Sequence, residues 1–248
     1  MQVRHHLRNF SNMIIETENY IFEDSLVRID KMLGVSMIEQ KPSMELPFIK
    51  DIPVDRGVCS YCTVMTVRME MENCPTVEKM KETKAFQSEL SAILSSHDQC
   101  VDIIALGNYV TAVFSTPLKV NIEGVIDKAA MVNSLAQVVS RKAKDIGGGA
   151  ISVYIGIHYG TTAIMRLGRL NVNEVEPKGV VWMGDIIKKT RELADMDAPD
   201  YRNLKITEVV YNNLKESYQK LFHKELFESY YGGDIINTKM KNWVNANR

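Results

Sequence analysis

Charge of one dominant sign is missing from this sequence: 30 lysines and arginines nearly cancel 31 acidic residues, leaving a formal net charge of −1. That excludes a whole-molecule field that would draw the chain to nucleic acid or to an anionic membrane. Long apolar runs are missing too. The opening residues, MQVRHHLRNFSN, lack the apolar core of a signal peptide, and no stretch approaches membrane-spanning length. Cysteine is scarce, with only Cys59, Cys62, Cys74 and Cys100 in 248 residues. A long chain with so few thiols and no export signal reads as cytoplasmic, with its cysteines reduced.

The same scarcity limits metal chemistry. CSYC at 59–62 has the spacing of half a zinc site, but only the separated Cys74 and Cys100 remain to complete it. In a strand, positions three apart face opposite sides, so the two sulfurs diverge. His5 and His6 are adjacent, and neighbours on a helix point in different directions, which favours ordinary surface histidines. No metal site is expected from these residues.

What the sequence does contain is 45% apolar residues, enough for a core, and an alternation of helical and strand patterns. Residues 11–33 place Ile14, Ile15, Ile21, Phe22, Leu26, Ile29 and Leu33 at helical intervals, with Gly34 as a stop. An N-terminal helical segment, 1–34, is expected. A polar, proline-bearing linker over 35–57 follows, and Gly57 marks its end. The third part, 58–248, opens with the β-branched strand VCSYCTVMTVRM, 58–69. Pro75 introduces a charged helix. VDIIALGNYVTAVFST, 101–116, reads as a hairpin about Gly107-Asn108. A second long helix spans 121–144. Residues 150–168 read as strand, glycine turn, strand. VVWMGDIIKKTREL, 180–193, gives a strand and then a helix, LKITEVVYNNLKE a short strand and helix, and 225–244 a closing hairpin about Gly232-Gly233. The order fits an α+β sandwich with helices on one face of a mixed or antiparallel sheet.

Three of these segments, in this order and at these separations, resemble the catalytic domain of class III nucleotide cyclases. Strand 58–69 matches the strand that carries Asp-Ile/Val-x-Gly in that family, and ALGNYVTAVF matches the hairpin with Gly-Asp at its turn. VYIGIHYG followed by VVWMGDIIKKTREL matches Gly-Ile-His-x-Gly and Gly-Asp-x-Val-Asn-x-x-x-Arg. AVFSTP, VVWMGD, VVYNNL and YYGGDIINTKM extend the similarity to the pyrimidine cyclases of Pycsar antiphage defence, over roughly residues 55–241. The resemblance implies a dimer with active sites at the subunit interface. One subunit's two aspartates hold two divalent metals, and the other subunit supplies an asparagine and an arginine that orient the ribose and stabilise the charge on the α-phosphate.

At those positions this chain differs. The first metal aspartate corresponds to Thr66, followed by Val67, Arg68 and Met69, so methionine replaces the glycine that lets the backbone approach phosphate. The second corresponds to Asn108, the asparagine to Lys188 and the arginine to Glu192, one place from Arg191. A base-reading position corresponds to Ile104, which cannot hydrogen-bond. Glu70 could share a strand face with Thr66 but lies about 13 Å along it, and Asp102 is displaced further. Asp185 is read as the N-cap of the helix that follows.

The resemblance therefore implies a degenerate cyclase homologue without a two-metal site, binding nucleotide through Arg68, Ile104, Asp185, Lys188, Lys189 and Arg191. Lys188, Lys189 and Arg191 have a plainer reading as solvated helix surface. A homodimer, or a heterodimer with an intact cyclase, is expected, with a nucleoside triphosphate as ligand and no nucleic acid or membrane partner. The alternative is an active cyclase making cyclic UMP or CMP with Mg or Mn.

Overall fold

The computed structural model describes residues 22–34, 41–53, 57–70, 76–170, 175–196, 202–225 and 229–247. The chain divides into two compact units, 1–36 and 37–248. In the first, the expected helix is described as α1, Phe22–Leu33, which exposes Phe22, Leu26, Val27, Ile29 and Leu33. Residues 11–21 of that helix, the His5–His6 pair and Cys74 lie outside the described residues.

The second unit begins with a segment whose 3-10 turn, Ile49–Asp51, precedes the long strand β1, Val58–Glu70. Helix α2, Val77–Ser95, starts at Thr76, whose side chain accepts a hydrogen bond from the Lys79 amide and so satisfies an otherwise orphaned donor. The hairpin β2, Cys100–Leu106, and β3, Tyr109–Phe114, turns on Gly107 with φ +62°. Then come α3, Lys119–Ala143, strands β4, Ser152–Leu170, and β5, Val175–Met183, and helix α4, Asp185–Asp195. The chain ends with β6, Leu204–Thr207, α5, Glu208–Asn213, α6, Glu216–Gln219, β7, His223–Lys224, β8, Tyr230–Gly233, and α7, Thr238–Ala246.

One mixed sheet runs β2-β3-β1-β4-β6-β8-β7, with β5 paired to the far half of β4. Only β4–β6 is parallel. Side-chain alternation along β1 divides the molecule into two layers. Met65, Val67 and Met69 face α2 and α3, where they meet Phe86, Leu90, Val125 and Ile126. Cys62 and Val64 face the other way, against Ile186 of α4 and Leu46 and Ile52. Helices thus cover both faces, not one, because α4 folds back across the strands that precede it.

Three further expectations are corrected. Residues 41–53 are not a detached linker: Leu46 and Ile52 are buried in the second layer, and Ser43 bridges to Ser60. Residues 150–168 hold no turn; β4 runs unbroken from Ser152 to the end of that stretch. Gly156 is there because α4 rests on it, so that an added Cβ would lie 2.1 Å from the Thr190 carbonyl. A glycine inside a strand marks such a close approach as readily as a turn. Gly232 and Gly233 likewise lie within β8, which pairs with β7 and β6, and the residues after them form α7.

Candidate functional site

Two rows of side chains cross the α4 face of the sheet, fixed by strand register. Directly opposed residues of paired strands point to the same face. The first row is Ile104, Thr111, Thr66, Gly156 and Lys205, on β2, β3, β1, β4 and β6. The second, one pleat further along, carries Tyr109, Arg68 and Tyr154.

Thr66 is 1% exposed and lies under α4. Its hydroxyl is 2.8 Å from Thr190 Oγ1 and 3.1 Å from Thr111 Oγ1, and Thr190 in turn donates to the Ile187 carbonyl at 2.9 Å. Three threonines therefore satisfy one another where the helix crosses the strands. Asn108 is elsewhere. It sits at the hairpin tip, its side-chain amide donating to the Met69 carbonyl at 3.1 Å, while Thr66 pairs with Thr111, three residues further along β3. The two positions matched to metal aspartates thus lie three residues apart along the β1–β3 pairing.

Two close dications need carboxylates to offset their repulsion. Thr66 and Asn108 are neutral; the Thr66 hydroxyl and the Asn108 side-chain NH2 are engaged with protein. Glu70 accepts from the Tyr154 hydroxyl at 3.3 Å, and Glu82 accepts from the Gly149 amide at 2.9 Å and pairs with Lys79 at 3.7 Å. No group of three metal-type ligands occurs among the described residues. The described residues do not fit a two-metal centre. Cys59 and Cys62 of β1 are free thiols, and burial pushes Cys62 up to about 12.

The predicted cationic residues separate into distinct settings. Lys188 is 74% exposed and pairs with Glu192 at 3.5 Å, an i,i+4 surface contact. Lys189 borders a cavity of about 380 Å³ with His158, Thr207 and Tyr230. There His158 Nδ1 lies 2.9 Å from Thr207 Oγ1, and burial, aided by Lys189, lowers the imidazole pKa to about 4. Asp185 is the first residue of α4, exposed to solvent; Gly184, at φ 128°, occupies the N-cap in its place. Ile104 shares the Thr66 row but is 39% exposed on the edge strand.

Arg68 and Arg191 are brought together. The Arg68 guanidinium stacks 4.2 Å over Tyr154, and its Nε donates to the Ala194 carbonyl at 2.9 Å and lies 3.5 Å from Asp195. Arg191 stacks 4.1 Å over Tyr109 and reaches Asp195 at 3.9 Å. The Tyr109 hydroxyl donates to Asp195 at 2.6 Å. Lys205, 1% exposed, donates to the Met196 carbonyl at 2.8 Å, so two cations meet the negative end of α4. Tyr109, Tyr154, Asp195, Lys205 and Thr190 were not anticipated from sequence. The only signal was register, since Tyr109 and Tyr154 flank Arg68 once β1, β3 and β4 are aligned.

On the opposite face, at the end of β1, a cavity of about 500 Å³ opens between Met69, Glu70, Ile151 and the α2 residues Lys79, Glu82 and Lys84.

This architecture recurs in solved proteins. A class III adenylyl cyclase-like ATP-binding protein from Pseudomonas aeruginosa superposes with a TM-score of 0.63 at 15% identity, over 89% of this chain and 48% of that one. The dimeric guanylyl cyclase domain of a RhoGC fusion protein from Blastocladiella emersonii gives 0.52 at 17% identity, over 70% of this chain and 93% of the other. The chain has the class III cyclase fold. Two curated relatives span nearly all of this cyclase-fold chain, and both are named uridylate cyclase. The protein from Gulbenkiania mobilis is 24% identical over 93% of this chain and 98% of its own length. That from Treponema porcinum is 25% identical over 96% and 84%. No family model matches the sequence. Among the described residues no helix is long and apolar enough to cross a membrane.

Proposed function

We propose that this chain is a Pycsar-type cyclase homologue of bacterial antiphage defence that binds a pyrimidine nucleoside triphosphate without cyclising it. In this reading it acts in the cytoplasm as a regulatory subunit of a dimer, paired with itself or with an intact cyclase. The observation that carries the reading is Thr66: its hydroxyl is bonded to Thr111 and Thr190 beneath α4, in the strand position matched to a metal aspartate. Nucleotide recognition is placed at the end of β1, where the cations Arg68, Arg191, Lys79 and Lys84 lie on its two faces. Charge-assisted contacts from arginine and lysine hold phosphate without a metal. The ATP-binding protein of the same fold supports binding as a function in its own right, and the dimeric guanylyl cyclase domain supports the dimer.

A second reading, an active uridylate cyclase, is favoured by the names of the two relatives. Calorimetric titration of UTP and CTP tests the first. Binding should be retained in EDTA within about twofold of its value with magnesium. Binding that appears only with magnesium overturns it.

A further inference from the structure

We infer that Asp195 is an internal stand-in for phosphate, occupying a metal-free phosphoryl subsite formed by Arg68, Arg191 and Tyr109. The inference rests on the proposed nucleotide-binding role and says where and how the phosphate is held. One carboxylate receives the Tyr109 hydroxyl at 2.6 Å and lies between two guanidinium groups, at 3.5 Å from Arg68 and 3.9 Å from Arg191. This is the donor set that a phosphoryl oxygen seeks, presented to a carboxylate in its absence.

Two features say that Asp195 does not exhaust the site. Its ion pairs run from Nε of each arginine at 3.5 and 3.9 Å, longer than a charge-assisted hydrogen bond, and the Arg68 Nε–H is given to the Ala194 carbonyl at 2.9 Å instead. The guanidinium groups form the planar fork that matches two oxygens of a phosphate. Their planes are preset by Tyr154 beneath Arg68 and Tyr109 beneath Arg191, which lowers the ordering cost of gripping an anion. Asp195 itself is 43% exposed, on the last turn of α4, so it can swing into water when displaced. The helix end would ordinarily repel an anion. Here Arg68 and Lys205 cover the Ala194 and Met196 carbonyls and remove that obstacle.

The ligand class is the phosphate chain of a nucleotide, and binding exchanges one carboxylate for one phosphoryl group. A phosphate chain bound there would release the C-terminal turn of α4 from its tie to β3, giving the helix a liganded and an unliganded position.

Inorganic tripolyphosphate, titrated in EDTA against the full chain, reads the subsite directly. Asp195→Asn removes the competing charge in nearly the same shape and should bind tripolyphosphate at least about fivefold more tightly than wild type. Glu192→Gln, the same charge change one turn away on α4, should give no gain. Adding Arg191→Gln to Asp195→Asn should abolish the gain, and Arg191 is exposed enough for that variant to fold. Equal affinities for wild type and Asp195→Asn, an equal gain in Glu192→Gln, or a gain that survives without Arg191 each overturn the inference. If UTP still binds the wild type in that event, the nucleotide-binding role stands and only this subsite falls. If UTP binds neither protein, both fall.

Discussion

An aspartate at position 66 would be a charge without a partner. The site is closed by α4 and lined by the Thr111 and Thr190 hydroxyls, and among the described residues the Thr66 hydroxyl bonds to no cation. Burying an uncompensated carboxylate costs several kcal/mol, or raises its pKa until it is neutral. Thr66→Asp is therefore expected to lower stability by about 3 kcal/mol. Magnesium should return none of it, as thermal melts with and without the cation will show. His158 gives a second prediction at this scale. Its folded pKa, about 4, lies below the ordinary histidine value of 6.5, so the folded protein binds fewer protons than the unfolded chain between those limits. The stability this contributes is complete above pH 6.5 and is lost as pH falls towards 4. Denaturant midpoints of wild type should fall across that window, and those of His158→Asn should fall less.

At the scale of elements, α4 is held by what lies beneath it. Gly156 leaves room for the helix backbone, and a Cβ there would also come within 2.7 Å of Leu193 Cβ. Gly156→Ala should push α4 off the sheet at a cost of about 2–3 kcal/mol. It should also reduce nucleotide binding, since Arg191 rides on that helix; equilibrium unfolding and a UTP titration of the variant check both. The same glycine shows why part of the fold could not be read from sequence. Strand β1, the Gly107-Asn108 hairpin and helices α2, α3 and α4 announce themselves through period, caps and turn residues, which are local. Gly156, Gly232 and Gly233 resemble turn residues locally, and their real task is a tertiary approach between elements. The site divides in the same way. Arg68 and Arg191 could be picked out as cations near motif positions. Their shared carboxylate on Asp195 and their tyrosine supports depend on strand register and on the placement of α4, which no single segment encodes.

For the whole molecule, the class III cyclase fold carries Thr66 and Asn108 where the family resemblance expects aspartates. The sheet order, the β2–β3 hairpin and the helix after β5 place Thr66 and Arg68 on adjacent rows. One row is sealed by hydroxyls, and the other is lined with guanidinium groups and tyrosines. On the proposed reading such a molecule holds a triphosphate, while Thr66 and Asn108 offer no charge to two dications and no group of three metal-type ligands occurs among the described residues. The most direct measurement is a product assay: purified protein at micromolar concentration, incubated for hours with UTP or CTP and manganese, followed by chromatography for cyclic nucleotides. The account predicts intact triphosphate and no cyclic product. Accumulation of cyclic UMP or CMP in proportion to the protein added would contradict it.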